Sequence, residues 1–150
     1  MDLSLVGKKY PIFIYEVGSE KIIEYAKATL SKNPYSLNRS FAKTTQYKKL
    51  IAPPTFVATY AFKALRYVFD DKDLGMYVPN VMHAEQTFEF GEIVKSGDVI
   101  STKVELKNGF TKENKNGNKI DFLVVISESK NQRKQIVCNG RWVLVEKYNV

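Results

Sequence analysis

His83 is the only histidine in the chain, and so the only side chain whose ordinary pKa lies near neutrality. Glu85 stands two residues on, and Glu89 follows within the run His83-Ala84-Glu85-Gln86-Thr87-Phe88-Glu89-Phe90. A histidine oriented by a carboxylate is the smallest apparatus for general acid–base chemistry, so His83 with Glu85 or Glu89 is one candidate pair. The plainer reading is preferred: His83 as a structural or exposed histidine at a strand start, and Glu85 as a strand-edge carboxylate. One histidine does not by itself complete a catalytic constellation. A metal site is disfavoured, because His83 and the lone Cys138 lie far apart in sequence. Cys138 sits in the strand-like run QIVCNGRWVLVE and reads as a small core residue. Ser36 has no neighbouring base to activate it, so nucleophilic catalysis finds no support. Thr55 either bonds a carbonyl of a ligand or, more commonly, its own helix turn.

These residues need elements to position them. In Leu50–Phe62, Pro53 and Pro54 suit a turn and a first helical position. The apolar residues that follow predict a helix from Pro54 to Phe69 with hardly any polar face, enclosed in the core. The small residues Ala52, Ala58, Ala61 and Ala64 in and before it leave room for a backbone or a thin ligand. Before it, Pro11–Val17 predicts a strand, and Ser19 is read as the N-cap of a helix ending near Ser31. Asn33-Pro34 marks a turn, and Tyr35–Lys49 shows no period and is read as a long loop. Met76–Met82 is read as an apolar connector. Four strands follow, at Thr87–Glu92, Val99–Leu106, Ile120–Ser127 and Ile136–Val145. Gly97-Asp98 is read as a turn that resets the register, and Asn116-Gly117 as a hairpin turn. Consecutive strands after a long apolar helix indicate an α+β fold, an antiparallel sheet wrapped around one central helix, in one domain over residues 1–150. The arrangement is that of a hotdog fold, and its two open sheet edges argue for pairing with a second chain.

Composition narrows the partners. The formal net charge is +7, but the lysines are scattered and no nucleic-acid motif or long basic run occurs. A solvated lysine-rich surface is the preferred reading. The functional alternative is attraction to an anionic ligand, such as the phosphates of coenzyme A or an acidic carrier protein. No apolar run approaches the roughly 20 residues that span a bilayer, and no secretory signal is read at the start. A single cysteine fits a reducing compartment, so a cytoplasmic protein is expected.

Over almost its whole length the chain resembles the N-terminal hotdog domain of MaoC-type dehydratases, the FAS1-like or (R)-specific enoyl-thioester hydratase group. The anchors are Tyr15–Leu30, Asn33-Pro34, Ile51-Ala52-Pro53-Pro54-Thr55-Phe56, His83–Phe90 and Lys95-Ser96-Gly97-Asp98-Val99. The resemblance implies reversible addition of water to a trans-2-enoyl thioester. That reaction needs a base for the water, an acid for the α-carbon and hydrogen-bond donors on the thioester oxygen. Catalytic members supply an Asp and a His from a D-x-N-P-x-H-x-D motif after the first helix. Aligned on Asn33-Pro34, this chain has Ser31 at the Asp position, Ser36 at the His position and Asn38 at the second Asp.

The resemblance thus implies a non-catalytic, acyl-binding subunit that pairs with a catalytic MaoC-like hotdog, or with its own copy, and handles an acyl-CoA or acyl-carrier-protein thioester. Asn33, Pro54, Thr55, Phe56, Tyr60, His83 and Gln86 are the residues expected to face the substrate. No cofactor and no metal is implied. Two alternatives stand beside this: a self-sufficient homodimeric hydratase using His83, and a module that binds acyl-CoA or fatty acid without chemistry. A thioesterase ranks last.

Overall fold

The computed structural model describes residues 1–148. Five strands, β1 (Phe13–Glu16), β2 (Val81–Phe90), β3 (Val99–Glu113), β4 (Lys119–Lys130) and β5 (Ile136–Lys147), form one antiparallel sheet in the order β1-β3-β4-β5-β2. Four helices complete the main framework: α1 (Ser19–Ala28), α2 (Pro34–Leu37), α3 (Arg39–Thr44) and α4 (Val57–Phe69). A single 3-10 turn, Pro54–Phe56, leads into α4, with Pro54 in the early position where its missing N–H costs nothing.

The inner face of the sheet carries Ile100, Val104 and Leu106 from β3, Leu123 and Val125 from β4, and Trp142 and Leu144 from β5. Helix α4 packs beside it through Val57, Tyr60, Ala61, Ala64, Leu65 and Val68, the three- and four-residue spacing of one helical face. The helix is therefore not enclosed on all sides. Its opposite face presents Ala58, Lys63 and Arg66 to solvent, and Phe62 is half exposed. Apolar residue types alone overstated how much of it the sheet covers.

Several boundaries differ from the sequence reading. Gly18, not Ser19, is the N-cap of α1, and α1 ends at Ala28 rather than near Ser31. The stretch 35–49 contains two short helices. The Asn33 side chain caps α2 through the Tyr35 N–H, and Asn38 caps α3 through the Phe41 N–H. These helices are too short to show a period, so only their caps mark them. The connector 76–82 ends in a 3-10 turn at Val78–Asn80, and β2 begins at Val81, well before Thr87. Strand β3 continues past Leu106 to Glu113, through a bulge between Leu106 and Asn108. Its far half pairs with β4 and stacks Phe110 on Phe122, ring centroids 4.9 Å apart. Gly117, at φ +78°, provides the left-handed residue that the Asn116-Gly117 turn requires.

Two features expose this frame to test. A Cβ on Gly140 would lie 2.7 Å from Ser127 Oγ and 2.7 Å from Trp142 Cζ3. Gly140→Ala is expected to cost about 1–3 kcal/mol by overpacking, read as a lower urea midpoint with an unchanged slope. At one end of the sheet, burial alone would raise the pKa of Asp121. Hydrogen bonds from Thr111 Oγ1 (2.6 Å), Tyr148 Oη (2.7 Å) and the Met1 ammonium (3.3 Å) instead hold it below the usual carboxylate value. A depressed native pKa contributes stability that is complete above about pH 4 and is lost as pH falls through the native value. The urea midpoint is expected to fall on acidification below about pH 4, and less steeply in Asp121→Asn.

Candidate functional site

The loop from Ser31 to Asn38 spends its short polar side chains on backbone. Ser31 Oγ accepts from the Asn33 N–H at 3.2 Å, and Asn33 Oδ1 accepts from the Tyr35 N–H at 3.0 Å. Asn38 Oδ1 accepts from the Phe41 N–H at 3.0 Å. Ser36, only 2% exposed, donates its hydroxyl to the Ile51 carbonyl at 2.7 Å, while the Ile51 N–H donates to the Tyr35 carbonyl at 3.0 Å. None of the side chains at 31, 33, 36 or 38 titrates near neutrality. The loop is a strut, fastened to the residues that lead into α4.

Those residues are held from the other side as well. The Ser96 N–H donates to the Leu50 carbonyl, and the Ala52 N–H donates to the Val94 carbonyl, both at 2.9 Å. The Pro53-Pro54 turn thereby borders a cavity of about 100 Å³ lined by Pro54, Phe56, Tyr60, Phe90, Val94 and Val137 among others. Phe56 is buried among Tyr15, Tyr25 and Tyr60, with the Tyr25 ring edge-on at 5.3 Å. The Tyr25 hydroxyl donates to the Thr55 carbonyl at 2.7 Å, which fixes the first turn; the Thr55 side chain is exposed. Burial pushes the Tyr60 phenol well above its ordinary pKa, so it stays protonated and able to donate.

Strand β2 carries the other expected residues, and a bulge divides it. His83 pairs with Leu144 but Glu85 pairs with Val143, so Ala84 is an extra residue. Without the bulge His83 and Glu85 would share a face. With it, His83 lines an inner cavity of about 130 Å³ beside Trp142 and Leu144, whereas Glu85 forms an ion pair with Arg141 (2.9 Å) on the outer face. Gln86 is exposed opposite Trp142. The structure brings Pro54, Phe56 and Tyr60 together around one cavity. Asn33 supports that corner through the loop, and His83 and Gln86 lie apart from it on β2.

A hollow of about 790 Å³ is on the outer face of the sheet and did not figure in the sequence reading. Glu89, Lys103, Glu105, Glu128 and Arg141 line it, a mixed-charge pattern that residue order along separate strands does not reveal. Its lining charges are partly paired already, in Arg141–Glu85 and Lys130–Glu128, and it contains no residue of the Ser31–Asn38 loop. Burial raises the Cys138 thiol to about 11, so it is neutral and unreactive at ordinary pH. Among the described residues no group of three or more His, Cys, Asp and Glu side chains is arranged to hold a metal ion. Among the described residues no helix is long and apolar enough to cross a membrane.

Residues 4–139 match the family described as the FAS1-like dehydratase domain region. A UPF0336 protein of Saccharopolyspora erythraea is 34% identical over 97% of this chain and 90% of its own length. The structure of a MaoC-like dehydratase is similar with a TM-score of 0.78 and 26% identity over 95% of this chain, which spans 42% of that longer chain. The C-terminally truncated HadBC (3R-hydroxyacyl-ACP dehydratase) complex of Mycobacterium tuberculosis gives a TM-score of 0.74 at 24% identity, covering 94% of this chain and 96% of that one. The hotdog fold expected from the strand and helix order is the fold observed.

The strut makes a direct prediction. Ser36→Ala removes a buried hydroxyl bond and is expected to cost about 1–3 kcal/mol, and Asn33→Ala about 1 kcal/mol through loss of a cap. Urea unfolding measures both, and an unchanged midpoint in Ser36→Ala would show that the hydroxyl does not hold the loop.

Proposed function

The chain belongs to the FAS1-like dehydratase family of MaoC-like hotdog domains, and we propose that it is the acyl-binding, non-catalytic subunit of an (R)-specific enoyl-thioester hydratase or dehydratase. One observation carries this reading: the Ser36 hydroxyl, at the position where catalytic relatives have histidine, is buried and committed to the Ile51 carbonyl. Ser31, at the aspartate position, is likewise committed to the Asn33 N–H. No base stands in the loop to activate water.

The missing groups come from a partner hotdog in this proposal. The partner's Asp–His pair takes a proton from water as its oxygen adds to C3 of the enoyl thioester, and delivers a proton to C2. This chain supplies the wall against which the acyl group lies, formed by Pro54, Phe56 and Tyr60. The partner aligns along β2, whose ten residues pair with β5 on one side only and offer unpaired backbone groups on the other. A complex is also what the name of the similar HadBC structure describes. The setting is the cytoplasm, where the buried Cys138 stays reduced.

Crotonyl-CoA hydration tests the reading. The purified chain alone is expected to show no activity, and co-purification with a hotdog chain bearing D-x-N-P-x-H-x-D is expected to give it. Activity of the chain alone, abolished by His83→Ala, would replace this proposal with a self-sufficient hydratase. Saturable acyl-CoA binding, with no hydration in the presence of any such partner, would make it a binding module.

A further inference from the structure

Residues 25–69 hold eight lysines and arginines and no carboxylate. The net charge of +7 therefore arises wholly in this stretch, which includes the strut loop and the entrance of α4. Charge gathered in this way steers an anionic partner to one region of a protein. Arg39 and Arg66 are already paired, with Glu20 and Asp70. Lys43, Lys48 and Lys49 have no carboxylate within ion-pairing distance among the described residues. The same holds for Lys95, on the segment alongside.

Lys49 and Lys95 meet on a short antiparallel ladder beside the Pro53-Pro54 turn. Ile51 and Lys95 stand opposite one another, flanked by the bonds from Ser96 N–H to the Leu50 carbonyl and from Ala52 N–H to the Val94 carbonyl. Side chains of such a narrow pair lie close together on one face. Lys49 reaches over that face: its Nζ lies 3.3 Å from where a Cβ on Gly97 would stand, so the glycine makes room for the ammonium. Lys95 leans the other way, its Nζ 5.5 Å from the centroid of the Tyr47 ring. Leu50, Ala52 and Val94 form the opposite face, all buried, and the last two line the cavity of about 100 Å³. One thin ladder is thus basic outside and apolar inside. Asp98, close by in sequence, spends its carboxylate on Lys95 N–H (2.8 Å) and Gln132 Nε2 (3.0 Å), not on either ammonium.

We propose that Lys49 and Lys95 bind the phosphate of a pantetheine-bearing ligand, whose acyl end enters the cavity on the inner side of the ladder. The identity of the ligand rests on the thioester reading, whereas the anion site rests on the ladder alone. Two ammonium groups on one face without a carboxylate repel each other. A phosphate between them relieves that repulsion and accepts hydrogen bonds from both. Glu92, the one carboxylate in the cavity lining, disfavours the anion inside and keeps it on the outer face. CoA and the phosphopantetheine arm of a carrier protein share this phosphate.

Calorimetric titration of the full chain with CoA and with pantetheine, which has no phosphate, tests the site. Pantetheine is expected to bind about tenfold more weakly than CoA. In Lys49→Gln/Lys95→Gln the CoA affinity is expected to fall about fivefold and the pantetheine affinity to stay. Lys115→Gln/Lys119→Gln removes the same charge at the opposite end of β3, and is expected to change the CoA affinity less than about twofold. Equal losses in the two double variants would overturn the site in favour of a diffuse field. An unchanged affinity in Lys49→Gln/Lys95→Gln, or no binding of CoA at all, would also overturn it.

Crotonyl-CoA hydration with the hotdog partner separates this inference from the thioester reading. Hydration with the same KM in Lys49→Gln/Lys95→Gln as in the unaltered chain keeps that reading and sinks the phosphate site. No hydration, with CoA still held through the two lysines, does the reverse. Crotonyl-phosphopantetheine, which lacks the nucleotide, identifies the source. If its KM rises in the variant as much as that of crotonyl-CoA, the occupant is the arm's own phosphate, which a carrier protein also presents. If only crotonyl-CoA responds, the occupant is the nucleotide end of CoA.

Discussion

The peptide of Ile51 is gripped from both of its polar ends, and the arrangement around the mouth of α4 depends on that grip. Its N–H donates to the Tyr35 carbonyl and its carbonyl accepts from Ser36, so the α2 loop and the leading edge of α4 move as one body. The neighbouring bonds of Leu50 and Ala52 to Ser96 and Val94 tie the same segment to the turn before β3. Pro53 and Pro54 then start the helix at a fixed angle, and Tyr25 locks the first turn from outside. A titratable side chain at position 36 would have to give up this bond to do chemistry. The serine instead ties this corner to the residues that lead into α4.

Much of this was legible in the residues, and the failures share a cause. The apolar spacing of α4, the strand runs after it and the Asn116-Gly117 turn are local signals, and local physics is enough to read them. The Ala84 bulge is not local. It arises where β2 and β5 match registers, so nothing in His83-Ala84-Glu85 announces that His83 and Glu85 part to opposite faces. The half-exposed Phe62 is a similar case, since a helix made of apolar residues does not say how far a sheet of five strands reaches around it. Helices α2 and α3 escaped for want of length, although Asn33 and Asn38 are conventional caps. Pro54, Phe56 and Tyr60 fall around one cavity because they sit within one helical entrance. The outer hollow was missed because charges from four separate strands, and Lys9 before them, compose it.

The sheet is asymmetric in how it meets solvent. At one edge β1 is only four residues long, which limits what can add to it. At the other, β2 is ten residues long and exposed nearly throughout, with Met82 and Phe90 each about half open to solvent. Apolar side chains on a long open edge carry a standing risk of unwanted association. Glu85 and Glu89 along the same edge also disfavour pairings that bring like charges opposite one another.

The extra residue in β2 separates the surfaces that substitutions on its two sides can reach. One strand lines three hollows, with the half before Ala84 turning its odd-numbered side chains inward and the half after it turning its even-numbered ones inward. Substitutions on either side of the kink therefore act on separate surfaces, so drift in the His83 half leaves the Glu85–Arg141 contact alone, and the reverse holds too. A deletion there is a different event, because it inverts half a strand in a single step. Losing or gaining a residue here disturbs far more of the sheet than replacing one does, and the strand behaves as two pieces joined at one residue.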